Sequence, residues 1–246
     1  MTAVRVAAFG DVHVGADSVG RLSSSLADLG ESADLLVVAG DLTRCGTVEE
    51  AAIFASELGS VNVPKLAVLG NHDYHGDQAA GITALLEGAG VVVLEGRGTV
   101  IDLHGATVGV AGVKGFGGGF TGASGSDFGE PEMKAFMRHS RAAADALAAA
   151  LEGLEADVTI AVTHYSPVPD TLAGERLEIY PFLGSSYLAE AVDRGGAALA
   201  LHGHAHNGTE RGTTPGGVPV RNVAVPVIGA AYHVYALEVP DPALAR

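Results

Sequence analysis

The chain has 246 residues, 48% of them hydrophobic, and carries a formal charge of −15, so it can bury a sizeable core but repels nucleic acid and acidic membranes. Its single cysteine rules out an internal disulfide, and 35 glycines with no tryptophan argue against aromatic stacking as the main recognition mode. No apolar run approaches the ~20 residues of a membrane span, and the first run, VRVAAF, leads straight into Gly10-Asp11-Val12-His13. A cytoplasmic location without a cleavable leader is therefore expected, with no membrane and no stable nucleic-acid partner.

In chain order, the pattern predicts a strand at 4–9, a helix at 17–30, a strand at 35–39, a helix at 47–59 and a strand at 65–69. A helix at 77–88 and strands at 91–94, 99–103 and 107–111 follow. The span 132–154 is the clearest helix, with Met133, Phe136, Met137, Ala144, Leu147 and Leu151 at helical spacing and Pro131 just ahead. Strands at 158–163, 197–202, 218–223 and 233–237 complete the set. Such alternation describes a layered α/β protein built on buried sheets. With no repeat and no linker, residues 1–246 are expected to form a single domain without a large cap. The glycine-dense piece 112–130 reads first as a flexible surface loop, with a mobile flap over a site as its functional alternative.

Five apolar runs end in polar residues of the kind that bind metals. Asp11 and His13 follow the first, Asp41 the second and Asn71-His72-Asp73 the third, while His164 and then His204-Ala205-His206 follow two later runs. Loops at one edge of a sheet converge, so these side chains can meet. Residues two apart in extended backbone point the same way, which pairs Asp11 with His13 and His204 with His206. Each fragment alone is a turn, a cap or a packed histidine; together they fit no single structural role. Oxygen and nitrogen donors with a shared carboxylate suit a pair of divalent cations.

DVH, GDLTR, GNHD, the lone His164 and GHAH, in this order, resemble the signature of the calcineurin-like metallophosphoesterases. The resemblance implies a fold of two packed mixed β-sheets flanked by helices, a four-layer α/β sandwich with metals at the sheet edge. It implies that Asp11, His13 and His206 bind one metal, that Asn71, His164 and His204 bind the second, and that Asp41 bridges them. His72 would be the general acid and Asp73 its orienting partner. The implied reaction is hydrolysis of a small phosphate ester by a metal-bridging hydroxide. The substrate is a phosphomonoester or a phosphodiester, cyclic nucleotides included, and the mixed donors suit Mn, Fe or Zn equally.

The second motif reads Gly40-Asp41-Leu42-Thr43-Arg44-Cys45-Gly46, where the family's protein-phosphatase branch has Gly-Asp-x-x-Asp-Arg-Gly. Arg44 is one position early, which points away from a phosphoprotein substrate and leaves it as a phosphate ligand or a surface residue. His202 matches no ligand position and reads as a packed or supporting residue. His75, His104, His139 and His233 fall outside the motifs. Substrate recognition is assigned to 112–130 and 165–187, with Lys114, Phe116, Tyr165 and Tyr180. The competing reading is a non-catalytic metal-binding scaffold or protein-interaction module on the same fold.

Overall fold

The computed structural model describes residues 2–239, so Met1 and residues 240–246 of the expected domain lie outside it. The first half runs β1 (Thr2–Phe9), α1 (Ser23–Leu26), α2 (Leu29–Ser32), β2 (Leu35–Ala39), α3 (Val48–Glu57), β3 (Lys65–Val68), α4 (Ala79–Gly88) and β4 (Val91–Val93). Then come β5 (Arg97–Leu103), β6 (Ala106–Val113), β7 (Gly119–Phe120), β8 (Ala123–Ser124), α5 (Pro131–Glu152) and β9 (Val158–Thr163). The chain continues through α6 (Tyr180–Leu183), α7 (Ser186–Arg194), β10 (Leu199–His202), β11 (Arg211–Thr213), β12 (Pro219–Asn222), α8 (Val225–Ile228) and β13 (His233–Val239).

Two mixed sheets result, ordered β13-β1-β2-β3-β4 and β11-β12-β10-β9-β6-β5. The inner strands of both are parallel, and antiparallel partners close the flanks at β13, β5 and β11. Alternation along β1 assigns the layers: Val4, Val6 and Ala8 face the second sheet, where Val108, Val110, Ile160 and Leu201 meet them. Ala7 and Phe9 point the other way, onto Leu26, Phe54, Ile82 and Leu86 of the helices. The far face of the second sheet is covered by Leu147, Leu151, Leu188 and Val192 from α5 and α7. Strands buried on both faces read as continuous apolar runs, as LLVVA does in β2.

Local chemistry explains where the structure departs from the sequence pattern. The helix expected at 17–30 breaks into single turns. Gly20 takes a positive φ of 79°, and the buried Glu57 carboxylate accepts the amides of Gly20, Leu22 and Ser23. Those amides are held by a side chain from α3 instead of by their own helix. The helix α7 was not predicted, although Ser185 caps it through the amide of Tyr187 and Gly195 ends it. The glycine-dense segment is no surface loop throughout: residues 112–120 are mostly buried, and only 121–130 lie on the surface.

The carboxyl ends of β1, β2 and β3 in one sheet, and of β9 and β10 in the other, lie along one edge. The sheets are joined there by backbone: Gly10 donates to the Val223 carbonyl at 2.9 Å, and Val223 donates to the His202 carbonyl at 2.7 Å. His202 is fully buried beneath this seam, its ring between the Gly203 carbonyl and the Thr171 hydroxyl, each at 2.8 Å. Burial lowers its pKa from 6.5 to about 3.

The native ring therefore stays neutral at a pH where the unfolded chain takes up a proton, and stability falls as pH drops through that interval. The stability advantage of wild type over His202→Gln, measured by urea unfolding, is expected to shrink from pH 6.5 toward about 3. The limiting slope is about 1.4 kcal/mol per pH unit; an advantage independent of pH would contradict the assignment.

Candidate metal centre

Every ligand predicted from the sequence falls at that shared edge, but extended backbone does not place them. Asp11, His13, Asp41 and His204 all have left-handed φ, of 60°, 44°, 50° and 72°. That conformation costs a non-glycine residue roughly 1–2 kcal/mol. Here the loops after β1 and β2 hold it by pairing with each other: Asp11 donates to the Gly40 carbonyl and His13 to the Asp41 carbonyl, both at 3.0 Å. The expected same-side pairing of residues two apart is thus replaced by turns. Asp11 and His13 still converge, whereas His204 and His206 diverge into different groups.

Two sets of donor atoms form, each within 4.8 Å: Asp11, His13, Asp41 and His206 in one, and Asp41, His164 and His204 in the other. Asp41 belongs to both. Its Oδ2 lies 3.7 Å from His13 Nε2 and its Oδ1 lies 3.4 Å from His164 Nε2. Asn71 joins the second set, with Oδ1 2.9 Å from His164 Nε2. Two glycines make room. A Cβ on Gly70 would overlap the Asp41 carboxylate, and a Cβ on Gly203 would overlap Asp11 Oδ2. The Asp11 carboxylate also accepts the His204 amide, at 2.9 and 3.0 Å.

The donors fit a cation by their own chemistry. His164 Nδ1 donates to the Ala39 carbonyl at 2.9 Å, so its neutral ring turns an Nε2 lone pair toward Asn71 Oδ1 and Asp41 Oδ1. Three acceptors facing one another repel unless a positive charge lies among them. His13 Nε2 is buried with no hydrogen-bond partner among the described residues. Burial lowers the pKa of His13 to about 4 and of His164 and His204 to about 3, which keeps their lone pairs free for a metal. Burial pushes Asp11 up to about 6, and the Asp11 carboxylate, 2.8 Å from His206 Nε2, raises that histidine. A bound cation would favour the ionised carboxylate and the neutral imidazole alike.

His72 stands at the rim. Its amide donates to Asp41 Oδ1 at 2.9 Å, its Nδ1 donates to the Arg44 carbonyl at 2.8 Å, and its ring lies 4.4 Å from that of His13. The partner expected to orient it, Asp73, makes no hydrogen bond to the ring. The Asp73 carboxylate accepts the amides of Leu42, Thr43 and Gly70 at 3.2, 2.8 and 2.7 Å and the Thr43 hydroxyl at 2.6 Å. Four donors fill its oxygens, so it holds the loop whose next residue, Arg44, offers the carbonyl. Thr43, which sequence reasoning passed over, belongs to this support and sits inside the quoted GDLTR motif. The Arg44 guanidinium pairs with Asp17 at 2.8 Å.

Of the residues assigned to recognition, Tyr165 lies against His204 at 4.3 Å between ring centroids, and Lys114 and Phe116 lie beside Tyr165. Tyr180 instead bonds the Leu172 carbonyl. His75 is exposed, His104 meets Asp34, His139 packs on Phe116, and His233 lies near Glu210.

A family profile described as Calcineurin-like phosphoesterase matches residues 4–208. The chain is 41% identical over 66 residues to the glycerophosphodiester phosphodiesterase GpdQ of Enterobacter lignolyticus, an alignment covering 26% of this chain and 22% of that protein. The fold is similar to that of the phosphopantetheinyl hydrolase PptH of Mycobacterium tuberculosis, with a TM-score of 0.68, 19% identity and 96% of each chain covered. It is also similar to GAP50, described as the anchor in the inner membrane complex of Plasmodium, with a TM-score of 0.54 and 15% identity over 92% of this chain and 73% of that one. No helix among the described residues is long and apolar enough to cross a membrane.

Because Gly203 abuts Asp11, Gly203→Ala is expected to weaken metal affinity by about 10–100-fold while the fold persists. Elemental analysis after metal loading and desalting, with circular dichroism as the fold control, reads this. Wild-type metal content in the variant would show that the Gly203–Asp11 contact is not needed.

Proposed function

The chain belongs to the calcineurin-like phosphoesterase family, and on that premise we propose that it is a metal-dependent hydrolase of small phosphate esters. The observation that carries the proposal is the pair of donor sets sharing Asp41 at the sheet edge, with His72 tied by its amide to the same carboxylate. Asp11, His13, Asp41 and His206 would hold one divalent ion, and Asp41, Asn71, His164 and His204 a second. Nitrogen and oxygen donors without a thiolate suit Mn, Fe or Zn. When bound, such a pair supplies Lewis acidity toward the phosphoryl oxygens and acidifies water for attack on phosphorus.

The remaining chemistry is done by side chains. With Nδ1–H committed to the Arg44 carbonyl, Nε2 of His72, which has no protein partner among the described residues, is the nitrogen that would hand a proton to the departing oxygen. Asp73 and Thr43 hold the loop that presents this carbonyl, and so fix the ring at one remove. Arg44 contributes its backbone, since its guanidinium is engaged by Asp17. We take the whole chain as one such domain, in which 112–130 and 165–187 read the substrate.

The 66-residue relationship to a glycerophosphodiester phosphodiesterase supports placing a diester beside monoesters in any substrate panel. GAP50 shows that an anchor protein uses a similar fold. The scaffold reading therefore predicts no turnover with any divalent metal, whereas the hydrolase reading predicts turnover abolished by chelator.

Substituting His72 with Ala is expected to lower kcat on an alkyl phosphate by about 10²–10⁴-fold. Metal content should stay at the wild-type level, and the loss should be far smaller on an aryl phosphate whose leaving oxygen hardly needs a proton. Parallel loss of metal and activity would remove His72 from the role of general acid.

A further inference from the structure

Lys114 directly follows β6, and its carbonyl accepts the amides of His164 and Tyr165 at 3.0 and 3.1 Å. Its ammonium lies among three aromatic rings, with Nζ 5.1 Å from the centroid of Tyr74, 4.8 Å from Phe116 and 5.3 Å from Tyr165. Tyr165 in turn lies 4.3 Å from His204 and 5.7 Å from His164, ring to ring, and Tyr74 follows Asp73. The charge is therefore held beside the second donor set, at a cleft of about 370 Å³ that Tyr74, Glu95 and His139 also line.

Glu95 acts on this charge through space but makes no ion pair or hydrogen bond with it. Both oxygens of Glu95 are engaged, one by the Leu69 amide at 3.3 Å and one by the Tyr74 hydroxyl at 3.2 Å. Among the described residues, none of the ion pairs or hydrogen bonds takes up Lys114 Nζ. The guanidinium of Arg44, the cation within the GDLTR motif, is bound to Asp17. Burial lowers the pKa of Lys114, while Glu95 and Asp41 raise it, so the field of the metal edge reaches this side chain. An ammonium half removed from water with its N–H donors unused is costly to maintain, and an anionic oxygen is the partner that satisfies it. The rings supply cation–π attraction and strip water from the site, which strengthens any such contact.

We propose that Lys114 is a substrate-binding residue that receives an anionic oxygen of the phosphoester beside the His164–His204 side of the centre. The proposal rests on the phosphoesterase reading for the identity of the ligand. In a chain of formal charge −15, it gives the anionic substrate a fixed positive contact besides the metals. The oxygen belongs either to the phosphoryl group itself or to a second anionic group of the substrate.

The test measures anion binding by titration calorimetry on metal-loaded wild type, Lys114→Met and Lys114→Arg, with metal content as a control. Lys114→Met keeps the apolar stem on the rings and removes the charge. Its Kd for inorganic phosphate is expected to rise about tenfold, as loss of a charge-assisted hydrogen bond implies, with metal content unchanged. Lys114→Arg should retain most of the affinity.

An unchanged Kd for phosphate with a tenfold loss for phosphoglycolate would assign the contact to a second anionic group, and so also support the proposal. Equal affinities of wild type and Lys114→Met for both anions would overturn it, leaving Lys114 a packing residue. Failure of wild type to bind either anion would overturn it too. If wild type turned over no phosphoester yet bound phosphate through Lys114, the hydrolase reading would fail and this one would stand.

Discussion

Asp41 is 1% exposed, and its two carboxylate oxygens face His13 on one side and His164 on the other. Its Oδ1 also accepts the His72 amide, so a single buried side chain touches both donor sets and the loop that carries the rim histidine. A carboxylate removed from water in this way needs hydrogen bonds or positive charge to compensate it, and among the described residues Asp41 has the His72 amide on one oxygen alone. The uncompensated acceptors around His164 and the orphaned Nε2 of His13 are the same requirement seen from the imidazole side. Glycine at position 70 is part of the constraint, because any side chain there would occupy the volume that Asp41 fills.

The fold supplies what that constraint needs. Parallel strands in two stacked sheets end at one edge, which brings Asp11, Asp41 and Asn71 from one sheet to His164, His204 and His206 from the other. Backbone hydrogen bonds from Gly10 to Val223 and from Val223 to His202 stitch the sheets together at this edge, so the distance between donor sets is fixed by the packed cores and the paired loops. Four of these donor residues accept left-handed backbone to complete the arrangement. Such strain concentrates at functional sites because the surrounding packing must over-determine it. The aromatic cluster of Tyr74, Phe116 and Tyr165 extends this rigid edge and carries Lys114 with it.

Much of this was legible in the sequence. Apolar runs ending in Asp, Asn or His marked the strand ends, and the small residues of GHAH marked a close approach; Gly203 proved to face Asp11. A layered α/β architecture followed from the alternation of apolar runs and helical stretches, while the pair of packed sheets was implied by the family resemblance. What was not legible depended on contacts distant in the chain. Glu57 unwinds the stretch after Ser18 by taking its amides, a contact 34–37 residues long that no local periodicity reveals. Asp73 could be picked out beside His72, but whether it met the ring or the loop of 42–43 depended on the turn between them. The left-handed φ of four non-glycine ligands was hidden, because rules based on strand alternation assume extended backbone. The burial of 112–120 escaped notice since glycine, usual in loops, here permits dense packing against α5 and α7.

The central claim is that one carboxylate serves two metal ions, and metal stoichiometry tests it most directly. Wild type, His206→Ala, Asn71→Ala and Asp41→Asn would be loaded with Mn or Zn, desalted and analysed for metal per folded chain. The account predicts about two ions in wild type, about one in each of the first two variants, and less than one in Asp41→Asn. Retention of the full wild-type content by Asp41→Asn would contradict a shared carboxylate and the arrangement built around it.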